Sequence, residues 1–218
     1  MEIWLDSVDT ETVRLGNKMG IAGVTTNPSI ISASGKNLEE VLEAVLKNQR
    51  GPVTVQVLGA DAPTMIEQAE TLGDFSERII VKIPVTQEGL KATSALAKLR
   101  FSVMVTAVFT PFQALLACQA GAEYLAPYYS RIDDEGKNAF EALDMMLTIT
   151  EQYGFKTKIV VASLKTLTQV YTCIELGVHA VTLKKELYEK LIADHPATLK
   201  CVEQFAKDWK KAKLSRLL

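Results

Sequence analysis

The 218-residue sequence holds only two histidines and three cysteines. Cys118, Cys173 and Cys201 are odd in number, widely spaced and form no C-x-x-C pair. This excludes a disulfide scaffold and points to free thiols in a reducing cytoplasm. His179 stands in an apolar stretch between Val178 and Ala180 and reads as structural, while His195 precedes Pro196 in a turn. No His, Cys and carboxylate cluster has ligand spacing, so a metal mechanism finds no support. No apolar run approaches the roughly 18 residues of a membrane span. A basic excess is also missing. The formal net charge is −2 and the pI about 5.8, which argues against a nucleic-acid partner. Gly59 lacks the companions of a G-x-G-x-x-G loop, so a dinucleotide site is not expected. The opening MEIWLDSVDT is acidic and strand-like, unlike a signal peptide. No linker or low-complexity stretch divides the chain, which reads as one domain over residues 1–218.

What is present is apolar material in a regular pattern. Hydrophobic residues make up 48% of the chain, enough for a sizeable core. Eight short apolar runs recur, at 3–5, 22–25, 53–58, 79–83, 103–109, 124–127, 159–162 and 180–183. Amphipathic segments lie between them, such as the one carrying Leu38, Val41, Leu42 and Val45. Short runs alternating with helices imply parallel strands in βαβ units. Eight such units in this length fit a closed (β/α)8 TIM barrel, with an open doubly wound sheet as the alternative. After the eighth run an amphipathic tail, about 196–218, carries Phe205, Trp209 and the basic Lys207, Lys210, Lys211 and Lys213. It must pack either on its own barrel or on a neighbouring subunit.

In such a barrel the chemistry sits at the C-terminal ends of the strands. Asp6 ends the first run, as a mouth residue or a helix cap. Thr25, Thr26 and Asn27 end the second before Pro28, making a rigid polar turn or a site wall. In the third run, alternation separates Val53, Val55 and Val57 from Thr54 and Gln56, and the more polar face is assigned to the lumen. The fourth run, Ile79-Ile80-Val81-Lys82-Ile83-Pro84, sets one lysine inside an apolar strand. Lysine is rarely buried, and burial disfavours the ammonium form. A neutral, fixed amine is what imine formation with a ketone requires. The alternative is a strand-end lysine whose charge snorkels to water. Thr106 lies in the fifth run, where threonine is also an ordinary strand residue. Tyr128, Ser130 and Arg131 follow the sixth, and Ser163 and Lys165 the seventh. A hydroxyl, a guanidinium and an ammonium together suit a phosphate, although each alone also occurs as a solvated group.

These segments resemble the transaldolase family, and especially its small fructose-6-phosphate aldolase subgroup. The matching stretches are GVTTNPSII at 23–31, VKIPVTQEGLKA at 81–92, TAVF at 106–109, RIDD at 131–134, VVASLKT at 160–166 and FAKDW at 205–209. They run in order along nearly the whole chain. The resemblance implies a barrel with Lys82 as the Schiff-base residue and Asp6, Asn27, Thr106 and Ser163 at site positions. It implies Arg131 as the phosphate-binding arginine, with Ser163 and Lys165 beside it; Thr26 joins the substrate-binding candidates from its place in the polar wall at the second strand end. Transaldolases resemble a pattern with Glu on the third strand and Phe in the sixth-strand segment. Gln56 and Tyr128 instead look like the aldolase subgroup. The segment IDDEGKN, Ser7 and Phe109 depart from that subgroup's pattern.

The expected activity is therefore cleavage or formation of fructose 6-phosphate through an imine and enamine on Lys82. A transaldolase that transfers the same three-carbon unit is the second reading, and a non-catalytic sugar-phosphate-binding barrel the third. No cofactor is expected, because the imine replaces a Lewis acid. The expected partners are a sugar phosphate and further copies of the chain. The resemblance implies a decamer of two rings in which the terminal helix reaches a neighbour.

Overall fold

A computed structural model of the protein describes residues 1–212. Lys213 and the rest of the tail to residue 218 lie outside the described residues. Eight strands are all parallel, and each pairs with the next. They are β1 (Glu2–Asp6), β2 (Gly23–Thr25), β3 (Val53–Gln56), β4 (Ile79–Pro84), β5 (Val103–Val108), β6 (Tyr124–Pro127), β7 (Lys158–Val161) and β8 (Ala180–Leu183). Pairing of β1 with β8 closes a (β/α)8 barrel. Around it lie α1 (Thr10–Lys18), α2 (Pro28–Ala33), α3 (Leu38–Asn48), α4 (Ala62–Phe75), α5 (Gln87–Lys98) and α6 (Pro111–Gln119). Then follow α7 (Tyr129–Asp134), α8 (Ala139–Gln152), α9 (Leu167–Leu176), α10 (Lys185–Leu191) and α11 (Pro196–Lys211).

Local sequence starts most helices by supplying a side-chain oxygen to the first free N–H groups. Asp9, Asn27, Asn37, Asp61, Thr86, Thr110, Asn138 and Thr166 all cap in this way. Proline at the first helical turn of α2, α4, α6 and α11 adds a preset φ where no N–H is missed. Gly89 lies inside α5 rather than in a turn. A Cβ there would strike the Pro84 carbonyl, so glycine lets the helix start tight against its own strand.

Strand alternation divides the core in two. Outward residues such as Val53, Val55, Val81, Ile83, Val103 and Val105 join the large cluster under the helices. Inward residues Trp4, Ile80, Met104, Tyr124, Ala126, Val160 and Ala180 form a separate plug in the lumen. There the Trp4 and Tyr124 rings meet edge to face, centroids 5.8 Å apart. The fifth apolar run does not continue as regular strand. The register slips between Thr106 and Val108, and Ala107 takes a φ of 56°. This bulge moves Val108 to the outer core and leaves Thr106 facing inward.

Two histidines take the structural parts expected of them. The His179 Nδ1 accepts from the Ile159 N–H at 3.1 Å, and the His195 Nδ1 accepts from the Ala197 N–H at the start of α11. The terminal helix is the exception to the compact packing. Every residue of α11 is exposed, including Leu199, Val202, Phe205 and Trp209, so it does not lie on its own barrel.

Candidate active site

The polar ends of the strands meet where barrel geometry puts them. A cavity of about 580 Å³ opens at the C-terminal ends of the strands. Asp6, Asn27, Gln56, Lys82, Tyr128, Arg131 and Ser163 line it, together with Pro28, Ser29, Ile30, Ala33, Ala162 and Lys184.

Lys82 comes from β4 and is only 3% exposed. Its Nζ donates to the Thr26 carbonyl at 3.1 Å. That carbonyl is itself fixed. Thr26 Oγ1 donates to the Thr54 carbonyl at 2.7 Å, and the Thr26 N–H donates to Thr54 Oγ1 at 3.2 Å. Burial pulls the Lys82 pKa below that of an ordinary lysine, and the Asp6 carboxylate opposes this only in part. None of the ion pairs among the described residues includes Lys82. The result is an amine aimed by a backbone oxygen and biased toward its nucleophilic form.

Asp6 ends β1, and its Oδ1 accepts from Thr25 Oγ1 at 2.8 Å. Thr25 in turn shares a 2.7 Å hydrogen bond with Thr182 of β8. Threonines from β2, β3 and β8 therefore form a buried polar layer that ties the carboxylate and lysine positions together. Asn27 serves two purposes. Its Oδ1 caps α2 at the Ile30 N–H, and the residue also lines the cavity.

Across the mouth, Tyr128 sits between β6 and α7. Thr106 Oγ1 donates to the Tyr128 hydroxyl at 3.1 Å, so the bulge in β5 holds the phenol's tip. The ring is held by Phe109 at 5.9 Å and by the Arg131 guanidinium, 4.8 Å from its centroid. Ser163 takes a φ of 60°, an unusual conformation for serine. Its carbonyl accepts from the Ser130 N–H at 3.2 Å, which anchors the β7 end beside α7.

The structure sorts the sequence expectations into three groups. Asp6, Asn27, Gln56, Lys82, Tyr128, Arg131 and Ser163 share one cavity. Thr26 and Thr106 stand behind that wall, buried, holding Lys82 and Tyr128. Lys165 is turned away. Its ammonium pairs with Asp134 at 3.0 Å on the surface and borders a separate cavity of about 260 Å³. The sequence reading missed Lys184, which lines the main cavity at the end of β8. The signal was the same one used at other strand ends, a polar residue closing an apolar run.

Comparison with known proteins decides the lineage. The family described as Transaldolase/Fructose-6-phosphate aldolase matches residues 3–216. The chain belongs to this family. A probable transaldolase from Coprothermobacter proteolyticus is 38% identical over 212 residues, covering 97% of each chain. One from Streptococcus equi subsp. zooepidemicus is 36% identical over 210 residues, covering 96% of this chain and 98% of that protein. A double mutant of flavocytochrome b2 with pyruvate bound superposes with a TM-score of 0.57 at 13% identity. That match covers 84% of this chain and 56% of the other, and it speaks only to the barrel. Family membership makes the protein an enzyme of the Schiff-base aldolase class, a transaldolase or a closely related aldolase.

Proposed function

We propose that the enzyme cleaves and forms fructose 6-phosphate through an imine on Lys82. The observation that carries this is the buried Lys82 amine, held by the Thr26 carbonyl at the foot of the cavity with its pKa lowered. The neutral amine adds to the C2 ketone, and loss of water from the carbinolamine gives an iminium. The C4 hydroxyl proton leaves through a relay of Tyr128 and a water held with Gln56 and Thr106, the phenol accepting one proton as it passes its own to the water and on to solvent, and the same relay later returns a proton to C3. The C3–C4 bond breaks, its electrons move into the iminium to give an enamine, and glyceraldehyde 3-phosphate leaves. Asp6 and Asn27 hold sugar hydroxyls. Protonation of the enamine at C3 and hydrolysis of the imine release dihydroxyacetone. Arg131 and Ser163 hold the phosphate. Lys165, tied to Asp134, plays a lesser part there.

A second reading is transaldolase, in which the enamine waits for an acceptor aldose. The probable-transaldolase names of its relatives favour it. Gln56 and Tyr128 favour the aldolase, because a phenol with a bound water can move the protons that hydrolysis needs. Borohydride with fructose 6-phosphate should trap a single modified lysine, Lys82, and product analysis should find free dihydroxyacetone without an acceptor. Strict acceptor dependence would assign the enzyme to transfer. No trapping at all would leave a binding barrel.

The exposed apolar face of α11 supports assembly with further copies of the chain. Leu199, Val202, Phe205 and Trp209 would be a liability if left in water. Deletion from Pro196 onward should give smaller species on a sizing column. An unchanged assembly would remove α11 from the interface.

A further inference from the structure

We propose that Lys184, at the end of β8, is the second cation of the phosphate subsite and sets the preference for phosphorylated substrates. The inference deepens the aldolase reading and rests on it.

Four lysines stand at this rim, Lys165, Lys184, Lys185 and Lys190, and the structure separates their duties, with Lys190 bordering the smaller cavity but not the main one. Lys165 pairs with Asp134 at 3.0 Å, and Lys185 pairs with Asp9 at 3.2 Å. Each is neutralised by a carboxylate. Lys184 takes part in none of the ion pairs among the described residues. It precedes α10, where a donor-only ammonium has no capping bond to make. Its backbone carbonyl accepts from the N–H groups of Leu187 and Tyr188, at 3.1 and 2.9 Å, so the main chain at its root is fixed.

Position supplies the second argument. Lys184 borders the main cavity and also the 260 Å³ cavity that Ser163 and Lys165 share. Arg131, Ser163 and Lys184 follow β6, β7 and β8, three consecutive strands of the barrel. A phosphoryl group beside Ser163 would therefore have the Arg131 fork on one side and a lysine point charge on the other. Lys165, the sequence's choice for this duty, is held outside the main cavity by Asp134. Because Lys184 is exposed and its pairing would be screened, the gain is moderate and salt-dependent.

The test compares Lys184→Ala, Lys184→Arg and Lys165→Ala in the full-length enzyme. Inorganic phosphate is titrated calorimetrically, and kcat/KM is measured for synthesis with glyceraldehyde 3-phosphate and with glyceraldehyde. Lys184→Ala should weaken phosphate binding about tenfold, which is ~1.4 kcal/mol. It should lower the ratio of phosphorylated to unphosphorylated kcat/KM by a similar factor. Lys184→Arg should restore most of that ratio, and Lys165→Ala should move it less than threefold. The proposal is overturned if Lys184→Ala changes phosphate binding less than threefold, or if Lys165→Ala costs as much or more. Borohydride trapping with dihydroxyacetone on the wild type reads the imine separately. Failure of trapping with phosphate results as expected would sink the aldolase reading and leave this site standing.

Discussion

Trp4, Ile80, Met104, Ala126 and Ala180 fill the lower lumen, while Asp6, Lys82, Thr106, Tyr128 and Thr182 stand two residues further along the chain, in or just past the same five strands. The lower level is apolar and closed by the Trp4–Tyr124 contact. The upper level carries a carboxylate, an amine, hydroxyls and a phenol. One pleat repeat separates a plug that stabilises the barrel from the polar layer to which the proposed chemistry is assigned. The plug lies directly beneath the cavity, so it also keeps the buried amine from meeting water from below. Polar groups in the upper layer are tolerable because they bond to one another, through Thr25, Thr26, Thr54 and Thr182.

The sharpest way to break this division is at Lys82. Lys82→Ala should lower turnover by at least about 10⁴-fold and abolish borohydride trapping, with the fold intact by circular dichroism. A mutant still trapped at one site would move the nucleophile elsewhere. Lys82→Arg should not rescue, since a guanidinium stays protonated.

Tyr128→Phe should reduce cleavage about 100- to 10,000-fold and reduce transfer less, measured by dihydroxyacetone release against acceptor-dependent product. An unchanged ratio with a lowered melting temperature would make Tyr128 a packing residue.

Trp4→Ala, one repeat below Asp6, should cost roughly 3–5 kcal/mol in urea unfolding. Substrate KM in the folded fraction should stay close to wild type. A large KM change with little loss of stability would show that the two levels are not separable.

Arg131→Ala, at the rim of the upper level, should raise KM for phosphorylated substrates roughly tenfold, the lower end for a charge-assisted bond on an exposed residue. Equal losses on phosphorylated and unphosphorylated aldehydes would assign Arg131 to holding the Tyr128 ring.

The smallest effect concerns stability. The folded protein holds Lys82 with a lowered pKa, so between that value and 10.5 the unfolded chain binds more protons. Lys82 therefore weakens the fold as pH falls through this window. Lys82→Met should raise the melting temperature at neutral pH, and the gain should shrink toward pH 10.5. A pH-independent gain would point to packing rather than charge burial.

The parallel barrel was legible because all eight apolar runs are short, evenly distributed and separated by amphipathic stretches. Lys82 was legible for a related reason, since one charged residue in an apolar strand contrasts with everything around it. Gln56 and Asp6 followed from alternation and strand ends. Thr106 was less distinct, because threonine suits any strand, and its role depends on a bulge at Ala107 that leaves no mark in the composition.

The sequence by itself determined the period of the fold, the family and the lysine that stands out from its strand. Each apolar run, each motif and the lysine's contrast with its strand depend on residues within a few positions of one another. Only the tertiary structure decided which of the rim lysines face the cavity. Lys165 and Lys185 look equivalent to Lys184 along the chain, but Asp134 and Asp9 hold the first two. Asp134 lies 31 residues from Lys165 and Asp9 lies 176 from Lys185, so the pairings exist only once the barrel closes and brings those strand ends together.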